Sequence, residues 1–235
     1  MSFGVDIFVR ELRHGALAAG LFVAMVAPGP LDAQGPGTIA GTITTAAGTL
    51  APLRVTFDQK VCGNELPDDA IVRGRSGGLA NAVITLVGVK AKGATAAPAI
   101  LNEKCRFVPR VQVARPQATI TTTSSDAVLH TTNAQRADGK TLFNIALPVP
   151  GMKISKPAGD AGVLRISCNT HPWMHGWLLV TDDTSVVTPA DGTFALRNVP
   201  AGTYELRVWH EALKGAPRTV TVAAGQTAVV NFELK

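Results

Sequence analysis

Three side chains able to bind a soft metal ion fall at intervals of three in the stretch CNTHPWMHGW: Cys168, His171 and Met174. The chain has only 3 cysteines, 5 histidines and 4 methionines in 235 residues, so abundance does not account for the cluster. Thiolate and thioether suit Cu(I) while imidazole keeps Cu(II) accessible, so two histidines, one cysteine and a long axial methionine favour one-electron copper chemistry. Zinc is disfavoured, because methionine is a poor zinc ligand. In GVLRIS the alternation puts Leu164, Ile166 and Cys168 on one face of a strand, which points the sulfur inward. His171 and Met174 then follow in the loop, and a second histidine from elsewhere must complete the trigonal set.

Such ligands need a rigid frame, and the chain after residue 34 reads as all-β. Helical periodicity is almost absent, whereas short alternating runs bounded by Gly, Pro, Asn and Asp recur. TYELRVW puts Tyr204, Leu206 and Val208 on one face with Glu205 and Arg207 on the other. AVVNFEL alternates likewise, and TIAGTIT, LRVTF, NAVITLVGV, RVQVA, ATITTT and VLRIS are further strand candidates. The turns ADGT and PAGT separate strands near the C-terminus.

The first 33 residues are expected to be a secretory signal peptide. Arg10 and Arg13 precede an apolar run from Gly15 to Ala27, and Ala33 is a small residue at a cleavage point. That run is shorter than the roughly 20 apolar residues that span a bilayer. An uncleaved anchor is the alternative reading; no other segment is expected to cross a membrane, and the protein is placed in the periplasm or outside the cell. Without two basic and three acidic residues of that segment, the mature chain has 20 basic against 14 acidic side chains, a net +6. The basic residues are scattered, which argues against a nucleic-acid footprint. In an oxidising compartment two of Cys62, Cys105 and Cys168 can pair, and one is left over.

The runs NAVITLVGV, FVPRVQVARPQATITTTSSDAVLH and LRISCNTHPWMHGWLLVTD, in that order, resemble the cupredoxins over about residues 80–182. The resemblance implies a Greek-key β-sandwich with one type 1 copper site. It assigns His130, in SDAVLH, as the first copper histidine beside Cys168, His171 and Met174, with the short ligand-loop gaps of the amicyanin type. It also makes the edge of His171 the electron port, with Pro172 and Trp173 in a patch that docks a periplasmic redox protein. The family usually carries Asn directly after the first histidine, and here Thr131 stands there, so a looser or retuned surround of the ligands is expected. With Cys168 on the metal, Cys62 and Cys105 are expected to pair. A bridge from Cys168 to either one is the alternative and would abolish the thiolate. His175 is read as an exposed imidazole, with an auxiliary metal or proton-coupled role as the alternative; Trp173 and Trp177 are each either core or docking patch, with the patch preferred for Trp173 and the core for Trp177.

DGTF and VPAGTYEL resemble the closing half of a carboxypeptidase regulatory-like domain, a smaller transthyretin-like sandwich with a carbohydrate-binding-like fold. GTIAGTITTAAGTLAPLRVTF looks like its opening half. The expected organisation is therefore residues 34–58 as the first part of a discontinuous sandwich and 59–79 as a connecting loop with Cys62. Residues 80–182 would form the cupredoxin, with NAVITLVGV as its first strand, and 183–235 the closing part of the split sandwich. Four terminal strands alone rarely bury enough area to offset about 1–2 kcal/mol of backbone entropy per residue. No nucleophile elbow, phosphate loop or HExxH motif is present, and Trp209, His210 and Glu211 are read as structural. The function expected is an exported, non-enzymatic carrier of single electrons. The alternative is a binding module for carbohydrate or protein with a structural cupredoxin; few aromatics outside the ligand loop support a glycan platform. A copper oxidase would need more ligands than the remaining histidines supply.

Overall fold

The computed structural model describes residues 35–93 and 96–235, with Met1 and Phe3 besides; the rest of the expected signal peptide lies outside the described residues. The order is β1 (Gly37–Thr45), β2 (Leu53–Arg54), a single helical turn α1 (Gln59–Cys62), β3 (Glu65–Leu66), β4 (Val83–Lys90), β5 (Ala99–Glu103), β6 (Arg106–Val108), β7 (Val111–Ala114), β8 (Thr119–Ser124) and β9 (His130–Arg136). There follow β10 (Thr141–Leu147), β11 (Lys153–Pro157), β12 (Gly162–Ser167), β13 (His175–Val180), β14 (Asp183–Val187), β15 (Thr193–Val199), β16 (Gly202–Trp209), β17 (Arg218–Val222), β18 (Thr227–Val229) and β19 (Phe232–Leu234). The described chain is all-β, as the alternating runs require.

Two sandwiches share the compact unit Ala33–Lys235. The first packs the sheet β10-β9-β12-β13-β7 against β11-β8-β5-β6. Its core includes Ile120, Leu147, Leu164, Ile166 and Leu178. The second combines β14-β4-β16-β17 with a sheet in which β1 is flanked by β15 and β18, with β19 also on β1. Its core includes Ile39, Ile43, Ile84, Leu86, Leu206 and Phe232. Because β1 pairs antiparallel with β15 and parallel with β18 and β19, this sandwich is assembled from sequence-distant pieces. Gly192, in the ADGT turn, has φ 73°, and a Cβ there would lie 2.1 Å from the Ile43 carbonyl oxygen, so the β15 turn can close on β1 only with glycine.

Two assignments from the sequence are corrected. NAVITLVGV is not the first strand of the first sandwich: β4 pairs with β14 and β16 in the second. The reason is its double-sided burial. Ile84 and Leu86 enter the second core, while Val83 faces Val111 and Leu179 of the first sandwich. Likewise LRVTF adds nothing to the second sandwich. Its β2 pairs with β3, and Leu53, Val55 and Leu66 pack on the first core. Residues 53–66 thus form a strap across the first sandwich rather than an orphan strand of the second.

The two sandwiches meet in a joint of apolar side chains and one ion pair. Val83, Val111 and Leu179 are buried together, and Trp177 meets Trp209 edge-on at 5.5 Å between ring centroids. The Arg110 guanidinium donates to both Glu211 oxygens, with Nη2 to Oε2 at 2.8 Å. Trp177, expected in a core, therefore belongs to the joint, as do Trp209 and Glu211. Buried His210 accepts the backbone N–H groups of Ala212 and Leu213 on Nδ1, and burial pushes its pKa down. Its role is to shape the turn after β16.

Candidate metal centre

Cys168 follows β12 directly, and the antiparallel pair Ser167–His175 closes the loop 168–174 between β12 and β13. Within it the Met174 N–H donates to the His171 carbonyl at 3.0 Å, which folds both side chains back toward the sandwich. Leu164, Ile166 and Cys168 are all buried, on the one face the alternation indicates. His130 opens β9, the strand beside β12, opposite Leu147 of β10. The sheet thus brings together residues 38 positions apart, and the Cys168 Sγ lies 3.9 Å from His130 Nδ1 and 3.6 Å from His171 Nδ1.

Those distances can be compared with what one ion would need. Bond lengths of about 2.0 Å to nitrogen and about 2.3 Å to sulfur at 120° put the donor atoms about 3.7 Å apart. The donor atoms of His130, Cys168 and His171 all lie within 4.8 Å of one another. Met174 is 1% exposed and belongs to the same buried cluster as Cys168. The three donors are therefore close enough together for one ion.

Hydrogen bonds prepare each donor. Burial alone would raise the Cys168 thiol. Contacts with both imidazoles, the Thr131 N–H at 3.3 Å and the Thr170 hydroxyl at 3.4 Å bring it down instead, to about 4. Burial pushes His171 down too, but its contacts with Cys168 and the Asp58 carboxylate carry it above the ordinary histidine value. Both rings turn Nδ1 toward the sulfur, and each Nε2 meets a carboxylate: His130 with Asp126 at 2.9 Å and His171 with Asp58 at 3.0 Å. A carboxylate on Nε2 holds a proton there, so Nδ1, once it gives up the proton it shares with the Cys168 sulfur, is the nitrogen that would take a metal.

Thr131 links the two segments that carry the donors. Its hydroxyl oxygen accepts the Asn169 N–H at 2.7 Å, tying the His130 strand to the ligand loop.

Cys62 and Cys105 form a disulfide with Cα atoms 5.3 Å apart, and Cys168 is free and buried. The bridge lies against the donor set, since both of its sulfurs are within 4.8 Å of a His171 ring nitrogen. It staples the turn that carries Asp58 to the turn whose N–H groups hold Asp126. Asp126 accepts the N–H groups of Lys104 and Cys105 as well as contacting His130, and Asp58 stands at the start of the turn that ends in Cys62.

The docking assignment is corrected by this arrangement. His171 is 0% and Trp173 8% exposed, and of the three residues only Pro172 faces solvent. The Asp58 turn covers the imidazole edge, and Trp173 lies against the His171 ring at 5.1 Å between centroids. His175 is half-buried rather than exposed, and burial with the nearby Arg165 lowers its pKa. Sequence reasoning missed both carboxylates. Asp126, four residues before His130, was within reach of a local reading; Asp58 is 113 residues from His171 and carried no local signal.

A structure described as a novel purple cupredoxin from Nitrosopumilus maritimus is 25% identical, covers 36% of this chain and 99% of its own, and has a TM-score of 0.32. The crystal structure of amicyanin from Paracoccus versutus is 16% identical over 42% of this chain and 97% of its own, with a TM-score of 0.33. No curated protein sequence matches the chain. The family model of the carboxypeptidase regulatory-like domain matches residues 178–235, from the end of β13 through β19.

Proposed function

We propose that this protein is an exported type 1 copper protein that carries single electrons between periplasmic redox partners and transforms no substrate. The observation that carries the reading is that His130 Nδ1 and His171 Nδ1 lie 3.9 and 3.6 Å from Cys168 Sγ, spacings that would suit one ion, with Met174 buried in the same cluster. This donor set suits copper in both oxidation states. Copper, when bound, supplies a one-electron change between Cu(II) and Cu(I).

The residues of the chain supply the rest. Cys168 is held ready as a thiolate, so binding requires no strong base. Asp58 and Asp126 hold the two rings in orientation before any ion arrives, and the loop tie through Thr131 keeps the three donors from separating. A preformed donor set changes little when the oxidation state changes, which favours fast transfer. Electrons would cross the strap and the exposed Pro172 rather than a bare imidazole edge. An exported location accords with the signal-like N-terminus and with the disulfide; among the described residues no helix is long and apolar enough to cross a membrane.

The test is titration of purified protein with Cu(II). One equivalent should produce an intense colour from thiolate-to-copper charge transfer, bleached by a one-electron reductant and absent in Cys168→Ser. Protein that stays colourless and retains no copper after dialysis would overturn the reading and leave a binding module built around a structural sandwich.

A further inference from the structure

The covering of His171 is built from an unusual turn. Asp58 adopts a left-handed backbone, φ 52° and ψ 31°, at the N-cap of α1. An aspartate there ordinarily caps the free N–H groups of its own helix. Here it makes no capping bond with its side chain, and its carboxylate reaches His171 Nε2 at 3.0 Å instead. The imidazole is 0% exposed while the Asp58 side chain is 41% exposed, so the carboxylate stands between the ring and solvent. Among the described residues, His171 Nε2 has no other hydrogen-bond partner.

The turn is held in place from three sides. Cys62 is bonded to Cys105, Val55 N–H donates to the Asn64 carbonyl at 3.0 Å, and Gln59 Nε2 donates to the Val55 carbonyl at 2.8 Å. Val55, buried in the first core, anchors the base. A side chain aimed this way by a stapled strap is a fixed feature of the site.

We propose that Asp58 is a positioning residue for His171, accepting its Nε2–H so that Nδ1 faces Cys168 and placing a fixed negative charge beside the donor set that favours Cu(II) over Cu(I). The electrochemical part rests on the copper reading; the orientation of the ring does not. Loss of a partner that orients a metal-bound histidine typically costs about 10–100-fold in metal affinity. The loss falls more heavily on the more highly charged ion, so Asp58→Asn should weaken Cu(II) binding about tenfold more than Cu(I). That ratio corresponds to a rise in reduction potential of about 59 mV for a one-electron couple.

Two measurements test it. Voltammetry of copper-loaded parent, Asp58→Asn and Asp58→Glu should show the rise in the Asn variant and recovery of most of it in the Glu variant. A potential in Asp58→Asn within about 15 mV of the parent, a quarter of that shift, would overturn the charge effect. In the metal-free parent, nitrogen-15 NMR of the histidine side chains should show His171 protonated at Nε2, with that proton slow to exchange. A His171 protonated only at Nδ1, or an Nε2 proton lost to solvent at once, would overturn the positioning role even if the Asn variant fails to fold. If the parent retains no Cu(II), the copper reading and the potential fall together, while the NMR result still decides the orientation.

Discussion

The two sandwiches are built from the same alternating strands but bury different things. The second has an apolar interior of Ile39, Ile43, Ile84, Leu86, Leu206 and Phe232, assembled from strands at both ends of the described chain. The first buries His130, His171, Asp126 and Thr132 toward one end. Polar groups taken out of water cost free energy unless hydrogen-bonded, and these four are bonded: His130 to Asp126, His171 to Asp58, and Thr132 to the Thr122 hydroxyl at 2.9 Å. The first sandwich thus carries a buried polar donor set beside its apolar core, and one disulfide staples the strap over it. Both sandwiches combine apolar burial with hydrogen bonds, and the first adds one disulfide.

The largest break in this contrast is removal of the staple. The bridge closes a sequence separation of 43, for which chain entropy gives about 4 kcal/mol. Cys62→Ser with Cys105→Ser should lose about that much in urea unfolding, and the strap with Asp58 should become accessible to protease. A loss below about 1 kcal/mol would mean that Leu53, Val55 and Leu66 hold the strap by packing alone. Next, Leu206→Ala in the second core should cost about 3 kcal/mol while leaving copper stoichiometry unchanged in the folded protein. Copper loss in that variant at temperatures where it remains folded would show that the sandwiches are coupled through the joint of Trp177, Trp209, Arg110 and Glu211.

The pH dependence should carry the mark of the site in the first sandwich. Cys168 is depressed to about 4 in the folded chain, so on its account the metal-free protein loses stability as pH falls toward that value. His171 is raised, and its contribution is full below the ordinary histidine value and lost as pH rises through the folded one. Between about 4 and about 6.5 the unfolded chain holds one more proton, on the thiol, and stability climbs. Above about 6.5 the folded imidazolium balances the unfolded thiol, and the curve flattens. Denaturation of the metal-free protein across this range checks the shape, and Cys168→Ser should remove the climb. The smallest effect is expected from Thr131→Val, which leaves the Asn169 N–H without its acceptor; it should cost about 1 kcal/mol and broaden the colour of the copper form by loosening the loop.

Strand alternation, the Cys168–His171–Met174 spacing and the turn at Gly192 were legible in the sequence because each depends on neighbours a few residues away. The same local rules could not say which sheet a strand joins. NAVITLVGV is apolar on successive residues, which any strand between two layers would be, and only the pairing with β14 and β16 assigns it to the second sandwich. LRVTF alternates well enough for either core, and the disulfide to Cys105 is what accompanies its placement on the first.

At the site the division is the same. Residue type and spacing determined which atoms could hold a metal, because ligand chemistry belongs to the side chain. Tertiary structure decided that His171 is covered rather than exposed, since the Asp58 carboxylate that covers it arrives from 113 residues away. A hydrogen bond across that separation leaves no mark on local periodicity; it exists only once the strap is stapled over the loop.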